Sequence, residues 1–273
     1  MADKPNFVLL PDTEPRQAEP PERPSRTGKA LTPLLERVRA LGSLGALVAR
    51  AGALLPSEPA GNERCSEPAP WTGRPRLVFG FDATASREPA WAAARQVTDA
   101  LVRALPGALD VALAVHGGGR LHTVTGFTAD AHRLRDRAAA ISCLAGPTKM
   151  LPILSFALAN PGVRVVTYIG DVFEEWPGFA RKLANEMGRR GIRLIVLHDV
   201  ADWMARRDAE FFLDLARRTG GCLLPFDASA PDRLRELLAA VAVYAVGGEA
   251  LLEAKRGEMA AAGLLLQHLR REG

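Results

Sequence analysis

The chain places three oxygen-bearing side chains, Asp82, Thr84 and Ser86, at alternate positions directly after the apolar run RLVFGF. A loop with this alternation can point all three oxygens toward one centre while the two intervening alanines face away. Further along, Thr148 follows a Gly-Pro turn, and Asp171 ends the apolar run VRVVTYIG. Two carboxylates and three hydroxyls suit a hard cation, because Mg²⁺ and Mn²⁺ prefer oxygen ligands. The set contains no His or Cys, which argues against zinc, so we predict a Mg²⁺ (or Mn²⁺) site.

Alternating strands and helices must position these side chains. Short Val-, Ile- and Leu-rich runs alternate with helical patterns from residue 76 onward, and the Gly117–Gly119 turn joins the one pair that looks like a hairpin. This predicts an α/β fold, a doubly wound and mostly parallel sheet with one antiparallel edge strand and helices on both faces. Ligands bind such sheets beyond the carboxyl ends of the strands, where strand order reverses. The predicted strands are 76–81, 108–117, 120–127, 163–170, 192–200 and 222–226, and the predicted helices are 91–105, 129–142, 151–160, 179–191, 209–220 and 231–246.

The same residues could instead have purely structural roles. Asp82 and Ser86 are also typical helix N-cap or turn residues, and Thr148 could cap the helix LPILSFALAN. Asp171 with Glu174 and Glu175 could form only a solvated acidic turn. Two tryptophans, Trp91 and Trp176, lie near the predicted site, where packing is the more common role for an aromatic residue beside a helix start. The five histidines share no spacing and are interpreted as ordinary residues.

The composition divides the chain into five segments. Twelve of the 20 prolines fall in residues 1–75, in clusters that cannot bury enough apolar surface to fold. We predict a disordered extension over 1–29, an amphipathic helix over 30–55, a proline-rich linker over 56–75, the α/β domain over 76–246 and a helical tail over 247–273. Packing of that tail on the domain is favoured over a partner-binding role.

Charge and cysteine usage limit the class of protein. The net charge of +4 is small and spread along the chain, so nucleic acid is not indicated as a partner. The three cysteines are far apart and lack CxxC spacing, which favours a reducing, cytoplasmic location. No signal peptide is apparent, and the apolar stretch 40–55 is interrupted by Arg50 and shorter than the roughly 20 residues of a membrane span.

The order of DATAS, GPT and GD resembles the metal-ion-dependent adhesion site (MIDAS) of von Willebrand factor A (VWA) domains. There the pattern is D-x-S-x-S, then a loop threonine often within G-G-T, then an aspartate after the fourth strand. In this chain Thr84 replaces the first serine and Pro147 replaces a glycine, but neither change removes an oxygen. The strings FDATASREPAW, TGGCLLPFDAS and AVAVYAVGG resemble a bacterial subgroup of VWA-like proteins without a defined role.

The resemblance implies that the metal ion keeps a position that the Asp or Glu of a partner protein completes. It implies a binding module, not an enzyme. Two other functions remain possible from the sequence. One is a metal-free VWA-like scaffold. The other is a phosphatase of the haloacid dehalogenase type, with Asp82 as nucleophile and Lys149 as phosphate-binding lysine, although Thr84 stands where that class has its general acid.

Overall fold

Six strands form one sheet in the order β3-β2-β1-β4-β5-β6, and only the β2–β3 pair at one edge is antiparallel. The computed structural model describes residues 71–199, 203–226 and 230–272. The predicted α/β fold class, a mostly parallel sheet with one antiparallel edge strand, is confirmed. The strands are β1 (Arg76–Asp82), β2 (Asp110–Gly117), β3 (Arg120–Val124), β4 (Val163–Gly170), β5 (Arg193–Asp199) and β6 (Cys222–Phe226).

The helices largely follow the predicted pattern, with shifted boundaries. The predicted helix 91–105 is divided in two, and the Thr98 hydroxyl donates to the carbonyl of Arg95 at the break (3.1 Å). Such side-chain bonds to the backbone compete with the helical ladder. The helices are α1 (Glu88–Val97), α2 (Ala100–Arg103), α3 (Ala131–Ala139), α4 (Leu151–Ala159), α5 (Pro177–Arg189), α6 (Trp203–Arg218), α7 (Pro231–Ala254) and α8 (Ala260–Glu272).

The core lies on both faces of the sheet. Alternate residues of β1, namely Leu77, Phe79 and Phe81, pack on one face with the apolar sides of α1, α2, α3, α7 and α8. Val78 faces the opposite side, where α4, α5 and α6 supply the packing. Because β1 is central, it is buried on both faces, which explains why its sequence is continuously apolar. Helices cover both faces of the sheet, so a binding site is expected at the ends of the strands.

Helix α7 is long and apolar enough, by length and composition alone, to be a candidate membrane span. Its buried side chains between Leu234 and Ala245 belong to the core and α7 contacts α1 and α2, so in this structure α7 packs as a core helix. The predicted boundary at residue 246 falls inside α7, and Gly248, with φ of 63°, interrupts the helical backbone there. Helix α8 follows and packs on α7 and β6 through Leu265 and Leu269.

Three of the predicted segments fall wholly or mostly beyond the part of the chain that the structure describes. They are the extension 1–29, the amphipathic helix 30–55 and the linker 56–75, of which only residues 71–75 are described. Within residues 71–75, the Trp71 ring lies under the guanidinium of Arg76, whose carbon is 4.1 Å from the ring centroid.

Candidate metal site

The two predicted carboxylates lie on neighbouring strands. β1 ends at Asp82, and β4 ends one residue before Asp171. These strands are adjacent and parallel, with Phe81 paired to Ile169. In the sheet, β2 lies on one side of β1 and β4 lies on the other, so the strand order reverses between β1 and β4. Asp82 and Asp171 therefore lie at the position where ligands bind in sheets of this kind.

The loop after β1 is organised around Asp82. Its Oδ1 accepts a hydrogen bond from the backbone N–H of Thr84 (3.0 Å), and the hydroxyls of Thr84 and Ser86 are 3.4 Å apart. Asp82 and Thr84 are buried, whereas Ser86 is exposed. The second carboxylate oxygen of Asp82, Oδ2, is buried and has no hydrogen-bond partner. An unpaired carboxylate oxygen in a protein interior is costly unless another group compensates it.

The electrostatic state of Asp82 reflects this burial. Desolvation is the largest effect and raises the pKa of Asp82 from 3.8 to about 6. Hydrogen bonds from Thr84 lower the pKa, the charge of Asp171 raises it, and Arg87 lowers it slightly. Because burial and the charge of Asp171 both raise the pKa of Asp82, the site favours additional positive charge.

Thr148 is held against the loop that follows β4. Its backbone N–H donates to Glu174 Oε2 (2.8 Å), and the backbone N–H of Glu174 donates back to the Thr148 hydroxyl (3.1 Å). The neighbouring Glu175 accepts from the N–H of Leu151 at the start of α4 (2.8 Å). These glutamates therefore bind backbone N–H groups of the Thr148 segment and are more than a solvated acidic turn.

Arg87 is a charged residue of the site that the sequence analysis missed. Its side chain is 7% exposed, and its guanidinium lies 3.3 Å from Asp171 Oδ2. The sequence signal was its position directly after Ser86, in the loop that carries three of the predicted ligands. A buried cation at this point partly neutralises the two carboxylates.

His116 also borders the site. It pairs with Asp82 in the β1–β2 register, and its Nδ1 lies 3.7 Å from Asp82 Oδ1. Burial, the largest effect, lowers the pKa of His116 to about 3, so the ring is neutral. Nδ1 accepts from the N–H of Lys149 (3.3 Å), which leaves the proton on Nε2 to donate to Tyr168 (2.9 Å). Its place at the end of a predicted strand, at the same edge as Asp82, was the available signal.

Backbone contacts hold the loops together at this edge. The N–H of Leu144 donates to the carbonyl of Ala83 (2.9 Å), and the N–H of Gly118 donates to the carbonyl of Leu144 (3.1 Å). Gly146 approaches the β2–β3 turn so closely that a Cβ there would lie 2.5 Å from the nitrogen of Gly119. The loop that carries Thr148 is therefore fixed against the turn and the end of β1.

We expect Gly146→Ala to destabilise the chain by about 1–2 kcal/mol, because the residue has φ of +150° and no space for a Cβ. Gly126→Ala is the matched control, since a Cβ at that glycine would meet nothing within 4 Å. Urea unfolding of the two variants measures the difference. Equal stability of both would contradict the close packing of this loop.

The residues present fit a divalent oxygen-binding cation, on the observation of the unpaired Asp82 Oδ2. The capping alternatives receive no support, because neither α1 nor α4 has a side-chain cap, and the N-cap residue of α4 is Met150. The turn alternative holds for Asp82, whose Oδ1 accepts from the N–H two residues further on. Across residues 71–199, 203–226 and 230–272, no group of three or more His, Cys, Asp or Glu side chains is arranged to hold a metal. A metal in the predicted site would therefore depend on hydroxyl ligands as much as on carboxylates.

The two tryptophans near the site differ in exposure. Trp91 is fully buried and packs on Phe81 with ring centroids 4.5 Å apart, as expected for a packing residue. Trp176 is 77% exposed at the start of α5, and Phe179 is 47% exposed one turn further. The interpretation of Trp176 as a packing residue is therefore wrong, because its ring stands in solvent.

Solved structures share this fold. A von Willebrand factor type A protein from Catenulispora acidiphila matches with a TM-score of 0.51 and 17% identity, over 63% of this chain and 43% of that protein. The pilus adhesin SpaC from Lactobacillus rhamnosus GG matches with a TM-score of 0.51 and 12% identity, over 65% and 32%. Proximal thread matrix protein 1 from the mussel byssus, solved with a zinc-occupied MIDAS motif, matches with a TM-score of 0.50 and 13% identity, over 62% and 46%.

The chain thus has a VWA-like fold, and it spans less than half the length of each of these proteins. No family model matches the sequence, and a search of curated proteins finds no significant match.

Proposed function

We propose that the chain is a metal-dependent protein-interaction module that binds an acidic side chain of a partner protein. One observation carries the proposal: the buried Asp82 Oδ2 lacks a hydrogen-bond partner at the edge where a second carboxylate and the loop hydroxyls lie. A divalent cation would compensate that oxygen. The residues proposed to hold it are Asp82, Thr84, Ser86, Thr148 and Asp171.

Each residue has a distinct task in this proposal. Asp82 and Asp171 supply negative charge, while the hydroxyls of Thr84, Ser86 and Thr148 add neutral oxygens. When bound, the cation supplies positive charge toward which an Asp or Glu of the partner is drawn. The bond from Thr84 N–H orients Asp82, and the paired bonds with Glu174 orient Thr148.

Two of the structural neighbours support a metal-dependent binding function. One is a pilus adhesin, and another was solved with zinc in its MIDAS. We propose Mg²⁺ or Mn²⁺ for this chain because the proposed ligands are all oxygens. The proposal is of a binding protein that is not an enzyme, acting in the cytoplasm, with no nucleic acid partner and no membrane span.

Affinity capture from the native host, in Mg²⁺ and in a chelator, tests the interaction. We expect a partner that is recovered only in Mg²⁺ and lost with Thr148→Ala, which removes one ligand oxygen. Thr148→Ser keeps the hydroxyl and is the matched control, so it should retain the partner. Replacing the acidic residues of the captured protein by their amides then locates the carboxylate, and one such change should abolish binding.

A contrary result favours the metal-free scaffold. If the same partner is recovered equally in Mg²⁺ and in chelator, with wild type and with Thr148→Ala, the interaction does not use the proposed site. Activity on simple phosphomonoesters that disappears in Asp82→Asn would instead favour the phosphatase.

A further inference from the structure

We propose that Arg87 is a built-in cation that holds the metal-free site together and competes with the divalent ion for Asp171. This inference rests on the proposed metal site and adds a means of controlling its affinity. It concerns a residue outside the five proposed ligands.

The position of Arg87 carries the first step. The residue follows Ser86 in the short helical turn Ala85–Arg87, and its side chain is 7% exposed. A buried guanidinium requires a negative partner, since an uncompensated charge in a protein interior is strongly unfavourable. The carboxylate of Asp171, from the loop after β4, supplies that partner at 3.3 Å. The pair links two loops that both carry proposed metal ligands.

Counting charges gives the second step. With both aspartates ionised, Asp82, Asp171 and Arg87 taken alone carry two negative charges and one positive charge. A divalent ion added to these three groups changes the total from −1 to +1. The ion and the guanidinium would share Asp171 and repel each other, and the repulsion is strong because both lie in a region largely removed from water.

Metal binding therefore requires Arg87 to give up part of its interaction with Asp171. Arg87 stabilises the empty site and weakens its affinity for the ion by the same coupling. An incoming carboxylate adds negative charge beside the two cations and reduces the repulsion between them. In this way Arg87 makes the affinity of the site for metal increase when an anionic partner binds.

The test is a calorimetric titration of the full chain with Mn²⁺ at fixed ionic strength, together with thermal unfolding of the metal-free protein. We expect Arg87→Gln to bind Mn²⁺ roughly ten- to a hundredfold more tightly than wild type. The same variant should unfold at a lower temperature without metal. Arg164→Gln, at the opposite end of β4 from Asp171, removes the same charge and should leave the Mn²⁺ affinity unchanged.

The outcomes separate this inference from the proposed function. If Arg87→Gln binds Mn²⁺ as wild type does, or more weakly, Arg87 is only a structural ion pair and the inference is overturned. Binding by Arg87→Gln but not by wild type supports the inference, and the proposed function is then overturned if the partner of the natural chain is recovered equally in Mg²⁺ and in chelator. If neither chain binds Mn²⁺, both proposals are overturned.

A second variant covers failure of Arg87→Gln to fold. Arg87→Lys keeps the positive charge but lacks the planar fork that pairs with a carboxylate. It should hold Asp171 less firmly and bind Mn²⁺ more tightly than wild type. Equal or weaker Mn²⁺ binding by a folded Arg87→Lys would overturn the inference.

Discussion

Saturating Mg²⁺ or Mn²⁺ will raise the thermal unfolding midpoint of the wild-type chain, and Asp82→Ala will abolish the rise. An ion that binds only the folded state stabilises it by about 2.7 kcal/mol at a concentration one hundred times Kd. For a folded region of this size, that corresponds to a rise of about 5–10 °C. Asp82 is the critical residue because its Oδ2 has no other partner. Differential scanning calorimetry with and without chelator measures the effect.

Asp110→Ala is the control for this experiment. Asp110 begins β2, at the end of the sheet opposite Asp82, and forms an ion pair with Arg74 at 2.9 Å. Its replacement should leave the rise with metal intact even if the baseline midpoint changes. An equal rise in Asp82→Ala would remove Asp82 from the site.

In the metal-free protein, Asp82→Asn will be more stable than wild type at pH 7.5 by up to about 3 kcal/mol. Burial raises the pKa of Asp82 from 3.8 to about 6, so the folded state retains this proton more strongly than the unfolded state does. Stability is therefore lost as pH rises from about 4 to above 6, and the loss persists at higher pH. The neutral amide avoids that cost and keeps an oxygen that can accept from Thr84.

Urea unfolding in chelator, at pH 7.5 and at pH 4, checks the sign. The advantage of Asp82→Asn should be large at the higher pH and should shrink toward zero at the lower one. Because the pKa of His116 is lowered to about 3 in the folded state, this residue reduces the stability of both proteins as pH falls from 7.5 to 4, and it cancels in the difference between them at each pH. A variant that is less stable than wild type at pH 7.5 would show that the Asp82 carboxylate is already well compensated without metal.

The fold was predictable because hydrophobic patterns report burial directly. The continuous apolar run of β1 and the glycine turn after β2 both marked their elements. The end of α1 was not predictable, because the Thr98 hydroxyl that bonds back to Arg95 reads in sequence as an ordinary helical residue. The exposure of Trp176 was missed for a related reason, since whether a neighbour covers a ring is a tertiary property.

The candidate site was also predictable only in part. Local spacing indicated Asp82, Thr84 and Ser86, and the end of a strand indicated Asp171. Partners distant in sequence could not be read from spacing. Arg87 meets Asp171 across 84 positions, and Thr148 meets Glu174 across 26. His116 reaches Asp82 only through the pairing of β1 with β2.

The reciprocal bonds between Thr148 and Glu174 have a mechanical consequence. Each residue donates to the other, so the two loops cannot separate without breaking both bonds. Glu174 lies three residues before Pro177, where α5 begins, and Glu175 holds the first turn of α4. A pull on a ligand at Thr148 would therefore load two helices together, and the strain would be carried by the helical layer of the α4–α5 face and not by one loop.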